Sequence, residues 1–253
     1  MCYGMLWVRS GVALGAAVLL TAQTVHASFH LMQIEEIMGG VNGDTSAQAI
    51  QLRMRAPGQN FLHTDAGGTF GPASLVAKDA NGGNPVTLIS FPNDVANGAT
   101  GGTVLISSTQ FAHDVSPGFS AANHGTDFTF TNLIPASYLA AGRIDYLDGV
   151  GDVLWSVSYG GANYHGSAAA ASFNGAFGSP FGGPIPSGGL KGLLFQGTAS
   201  AAGTSSAADY ALTSGAAGFA NNSGSGFAVT PEPASLALFS VSALGLLARR
   251  RTV

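Results

Sequence analysis

The chain has 253 residues, of which only 9% are charged and 37 are glycine. Soluble domains average about 25% charged residues and about 7% glycine, so the composition argues against a helical bundle, whose exposed faces need many Lys and Glu, and for a turn-rich β protein. Between Ser28 and Ala228 twelve acids stand against five bases (Arg53, Arg55, Lys78, Arg143, Lys191), and without a clustered basic surface to displace counterions a nucleic-acid partner is disfavoured.

In chain order, the first element is "MCYGMLWVRSGVALGAAVLLTAQTVHAS". Arg9 gives a positive start, residues 11–20 an apolar run, and "VHA" small residues before the Ala27–Ser28 bond. This reads as a secretory signal helix over 1–27, cleaved after Ala27. The apolar run is too short to span a bilayer comfortably. Cys2 is the sole cysteine and lies in that segment. The mature chain is therefore expected to have no disulfide, thiolate metal site or cysteine nucleophile.

From 28 to 165 short apolar runs alternate with turn residues. "AIQLRM" (49–54) and "DVLWSVSY" (152–159) show period-2 patterning, the mark of half-buried strands. Further strands are expected at 30–37, 74–78, 86–91, 103–108, 128–130 and 143–147, with turns at 79–85, 97–102 and 148–152. Regular short strands without a helical pattern predict an all-β fold, an antiparallel sandwich. In the first strand Ile34 and Ile37 can both face inward only across a bulge, with Glu36 exposed, tied to backbone amides or used in binding.

Three passages carry a likeness to a known family: "IEEIMGGVNGDTSAQAIQLRM" (34–54), "ISFPNDVANGATGGTVLISS" (89–108) and "DVLWSVSYGG" (152–161). Together they resemble a lamin-tail-type domain over roughly residues 30–161, departing from it in the insert at 111–130. That resemblance implies an immunoglobulin-like sandwich used for binding or anchoring, with no catalytic residues to carry over.

Candidate chemistry is sparse. Asp145, Asp148 and Asp152 stand among glycines as in a Ca²⁺ loop, but the EF-hand spacing and its terminal Glu are missing, and a hairpin turn explains them. His113 with Asp114 and His124 with Asp127 form two His-Asp neighbours in the insert, without a Glu-x-x-His helix or a third nearby histidine. No Gly-x-Ser-x-Gly elbow or phosphate-cradling loop occurs. The expectation is no enzyme, no cofactor and no metal. Tyr164, Phe173, Phe177 and Phe181 can stack on sugar rings or latch onto the sandwich.

Beyond the sandwich, residues 166–197 form a Gly/Ala/Ser-rich extension with material to pack on it, and "LKGLLFQG" (190–197) reads as an edge strand or short helix. Residues 198–229 have little apolar bulk to offset ordering entropy and read as a flexible stalk. The end is different. Pro231, Glu232 and Pro233 precede an uncharged stretch, Ala234–Ala248, followed by Arg249, Arg250 and Arg251. Its apolar residues cover all sides of a helix, and the arginines suit a cytoplasmic flank that stops a transmembrane helix over 234–248.

This order resembles the PEP-CTERM sorting signal of Gram-negative bacteria. The resemblance implies a transient encounter with an exosortase, a membrane-embedded cysteine peptidase-transpeptidase that removes the helix. The product would pass from an inner-membrane-tethered intermediate to the cell surface or an extracellular matrix. The reading is an exported, non-enzymatic surface protein acting in adhesion or scaffolding, with extracellular polysaccharide or other surface proteins as partners. A carbohydrate-binding module without turnover and a secreted hydrolase using the 111–130 insert and the 145–152 turn stay open.

Overall fold

The computed structural model describes residues 29–64, 71–114, 125–167 and 178–230. In chain order its strands are β1 (Met32–Met38), β2 (Ala49–Met54), β3 (Ser74–Lys78), β4 (Val86–Ser90) and β5 (Thr103–Ser107). A helix α1 (Thr109–Asp114) follows, then β6 (Phe128–Thr129), β7 (Gly142–Leu147), β8 (Val153–Tyr159) and β9 (Leu193–Phe195). The short helix α2 (Ser206–Asp209) leads into β10 (Tyr210–Leu212), β11 (Gly218–Ala220) and β12 (Gly226–Ala228). Every strand expected between residues 30 and 159 is present, and no end is displaced by more than two residues.

The strands form a six-stranded sheet, β10-β9-β1-β2-β5-β6, a four-stranded sheet, β4-β3-β7-β8, and the β11-β12 hairpin. The architecture is a two-sheet all-β body, antiparallel throughout except where β5 pairs with β6. Alternation explains the core. Ile50, Leu52 and Met54 of β2 and Val104 and Ile106 of β5 meet Leu75 and Ala77 of β3, Ile144 and Tyr146 of β7, and Trp155, Val157 and Tyr159 of β8. At about 25 cal/mol per Å², such bulk is what orders a domain without disulfides.

The bulge in β1 is present. The β1–β2 register shifts between Ile34 and Glu36, so Ile34 and Ile37 both reach the core. Glu36, however, is not exposed: it is 1% accessible. The reason lies at the other end of the chain.

Residues 198–229 do not form a flexible stalk, and "LKGLLFQG" does not supply an edge strand. β9 lies inside the six-stranded sheet between β1 and β10. Tyr210, 4% accessible, accepts a hydrogen bond from Trp155 Nε1 at 2.8 Å and donates to the Ile34 carbonyl. The Phe195 ring stacks edge-on between Trp155 and Tyr210, with centroids 5.3 and 5.4 Å away. Further along, Ala217, Phe219 and Val229 join Met38, Val41, Ala47, Ala49, Leu105 and Phe111 in a second core on the outer face of the six-stranded sheet. A few large side chains spaced among Gly and Ala thus order a segment whose average composition suggests a tether.

Expectations for residues 1–27, the Ala27–Ser28 bond and 231–253 lie outside the described residues, as do Phe173, Phe177 and His124. Among the described residues no helix is long and apolar enough to cross a membrane.

Candidate functional site

Three loops meet at one end of the body. Asn93–Asn97 from the β4–β5 connection, Asp127 and Phe128 at the start of β6, and Asn222 and Ser223 at the β11–β12 turn line an open cleft of about 510 Å³. Each loop is pinned by its own polar side chains. Asp94 accepts from the His63 and Thr64 amides at 2.7 and 3.2 Å and from the Thr64 hydroxyl at 2.9 Å. Asn222 accepts from the Asn97 amide at 2.7 Å and donates to the carbonyls of Asn97 and Thr103, both at 3.0 Å.

Asp127 ties two of these loops to the sheet. Its Oδ2 accepts from the backbone N–H groups of Leu105 and Asn222, both at 2.8 Å. Burial pushes its carboxyl up to about 6, against the lowering effect of those two bonds. The close approach of the hairpin turn needs glycine below it. A Cβ on Gly125, at φ +85°, would fall 1.8 Å from Asn221 Nδ2.

Asn93 makes no side-chain hydrogen bond among the described residues, Asp127 Oδ1 likewise has none, and both residues line the cleft. Among the described residues no Lys, Arg or His lines the cleft. Its Asn, Asp and Ser lining offers hydrogen bonds to a polar ligand.

A second polar cluster is enclosed between β1, β2 and the C-terminal layer. Arg53 pairs with Glu35 at 2.7 Å, and Gln51 donates to the other Glu35 oxygen at 2.7 Å. Glu36 takes a backbone hydrogen bond from Gly218, while its Oε1 has no partner. Burial, with the neighbouring Glu35 second, pushes Glu36 up to about 8, so it is a neutral acid at pH 7. Gly192 makes room for it: a Cβ there would stand 2.1 Å from Glu36 Oε1. Glu36 is buried at the centre of the cluster, while the Arg53–Glu35 pair keeps part of its surface in solvent.

The residues proposed from sequence fall apart in space. Of the two His-Asp neighbours, Asp127 alone has a described side chain, and it lies on the cleft. Asp145 turns to the outer face of β7, bound to Lys78 at 3.0 Å and Arg143 at 2.8 Å. Asp148 instead caps the β7–β8 turn, accepting from the amides of Val150 at 3.0 Å and Asp152 at 2.8 Å. That engagement makes the Asp-Gly run a hairpin turn, as its residues suggest. Among the described residues no group of three or more His, Cys, Asp or Glu is placed to hold a metal. Tyr164 is 7% accessible and Phe181 packs partly against the core, so both latch onto the body.

The hairpin that contributes Asn222 and Ser223 to the cleft also delivers the chain to its C-terminal segment. Val229 is 1% accessible, and its N–H donates to the Ala217 carbonyl at 2.8 Å. Residues 229–251 match the family model of the PEP-CTERM protein-sorting motif. Among curated proteins none matches the chain. The PEP-CTERM motif implies export, an encounter with exosortase and a membrane-anchored sorting intermediate. Its match begins inside the second core, with Thr230 alone between Val229 and Pro231.

Proposed function

We propose that the chain is an exported, non-enzymatic surface or matrix protein of a Gram-negative bacterium, released by exosortase and acting in adhesion or scaffolding. The observation that carries it is the sorting motif joined without a spacer to a folded all-β body. The lamin-tail-type likeness of residues 30–161 fits a body of this kind.

The cleft is its contact face. The Asn222–Ser223 turn and the exit at Thr230 are opposite ends of one hairpin, separated by a three-residue strand of about 10 Å. A body held by its C-terminal side therefore turns the cleft away from the attachment point. Its amide and carboxylate lining suits a polyhydroxylated, uncharged polymer. Asn93→Ala with Asp127→Asn is expected to abolish retention of the full-length chain on immobilised neutral polysaccharide while leaving its export intact. Loss of the sorted form in mass spectra of cell-surface fractions would overturn the sorting reading, and unchanged retention the cleft reading.

One observation favours a secreted hydrolase as a second reading: Asp94 and Asp127 line the same cleft, and paired carboxylates are the means by which glycosides are cut. Release of reducing sugar by the wild type and not by Asp127→Asn would establish it.

A further inference from the structure

We infer that β12 and Val229 form a clamp on the sorting motif, and that exosortase engages the motif only in molecules whose residues 226–230 have peeled away from β11. The inference rests on the sorting reading above and adds the step that limits it.

The argument starts from reach. A protein that binds an extended peptide pairs with its main chain, so the chain beside the contact has to be free of other pairing. A single extended residue spans about 3.5 Å. With Thr230 alone between the buried Val229 and Pro231, an enzyme that reads Pro231–Pro233 has no free chain on its N-terminal side. The residues it needs are the ones laddered to β11, Gly218 opposite Ala228 and Ala220 opposite Gly226.

Those residues are held in a way that permits local release. Gly226 and Ala228 are small and exposed, and Val229 is buried and bonds to the Ala217 carbonyl. β11 is held independently. Gly218 bonds to Glu36, Ala220 N–H donates to Gln51, and Phe219 packs edge-on against Phe111 at 5.4 Å. The turn is fixed by Asn222 and Asp127. The last strand can thus lift from a hairpin whose first strand and turn stay in place. Sorting then runs at a rate proportional to the open fraction.

The test follows processing of the full-length chain in cells that carry the sorting peptidase, read by mass spectrometry of the product. A ten-residue Gly-Ser insertion between Thr230 and Pro231 leaves the body untouched and supplies the missing chain. Processing is expected to accelerate at least about tenfold, and an unchanged rate overturns the clamp. Gly218→Cys with Ala228→Cys joins two directly opposed, exposed positions. Processing should stop in the oxidised protein and return with a membrane-permeant reductant, whereas cleavage of the oxidised form at the normal rate overturns the proposal. A Pro231→Ala, Glu232→Ala variant separates the two levels. If it is processed normally, the sorting reading falls and the clamp with it. If it is blocked while spacer and staple have no effect, the clamp alone fails.

Discussion

Between Met32 and Tyr159 most strands run five to seven residues and direct Ile, Leu, Val and aromatic side chains into the inter-sheet core. Between Leu190 and Val229 the strands are three residues long and sit among Gly, Ala and Ser. The first region is held by continuous apolar faces, so no single residue decides its order. Among the described residues the second hangs on a few anchors: Leu193, Phe195 and Tyr210 in the main core, Phe219 and Val229 in the outer one. Average hydrophobicity is thus a poor guide to order when a sheet already offers a surface to pack on. What matters is whether each large side chain in the poor segment meets a prepared site.

The strongest way to break the contrast is Trp155→Ala. Trp155 is fully buried and is where the two regions meet, touching Phe195 and bonding Tyr210. The loss should be about 4 kcal/mol, and urea unfolding should show both regions melting together at the lower midpoint. Phe219→Ala acts on one region alone. It is expected to cost about 3 kcal/mol, but hydrogen exchange should show faster exchange confined to residues 213–229 and α1, with β3, β7 and β8 keeping their protection. A uniform rise in exchange would mean that the outer layer and the two-sheet body are one cooperative unit.

These anchors also explain what could be read from the sequence. The strands to Tyr159 were legible because an alternation such as Val153, Trp155, Val157, Tyr159 records its burial within a few residues. The bulge in β1 was legible from the three-residue spacing of Ile34 and Ile37, but the burial of Glu36 was not, because its cover comes from Gly192 and Gly218. Tyr210 finds Trp155 55 positions away and Ile34 176 positions away, distances that no local pattern encodes. The cleft was hidden for the same reason. In the sequence Asp127 is a near neighbour of His124, whereas in the fold its partners are the amides of Leu105 and Asn222.

The next effect is pH-dependent and isolates the interface between the regions. Glu36 has its carboxyl raised from 4.5 to about 8 because burial disfavours the charge. In the unfolded chain it ionises near 4.5, so between those values the native state binds a proton that the unfolded state lacks. The contribution of Glu36 is therefore full below pH 4.5 and is lost progressively as pH rises to 8. Glu36→Gln keeps the shape and cannot ionise. It should match the wild type at pH 4 and be more stable at pH 8, by about 2 kcal/mol after allowance for solvent relaxation around the shifted group. The difference in melting temperature between the two proteins, followed from pH 4 to 8, checks it. A flat difference would place Glu36 outside the buried interface.

The smallest change sharpens the comparison most. Tyr210→Phe retains the ring that stacks on Phe195 and removes only the hydroxyl between Trp155 Nε1 and the Ile34 carbonyl. If the C-terminal region is held by apolar anchorage alone, deleting one oxygen should cost almost nothing. The structure argues otherwise, because the indole N–H loses the Tyr210 acceptor, and the Ile34 carbonyl loses its donor beside a bulge that already interrupts the ladder. An orphaned buried donor costs about 1–3 kcal/mol, so a loss of about 1.5 kcal/mol is expected in urea unfolding, with the denaturant slope unchanged. Tyr210→Phe combined with Trp155→Phe removes both partners and should recover part of that loss relative to the sum of the single changes, since no donor is then left unpaired. Strict additivity in this cycle would show that the two side chains contribute as separate pieces of apolar surface. Recovery would show that a single hydrogen-bonded contact, made across two sheets, is what converts a glycine-rich segment into part of the fold.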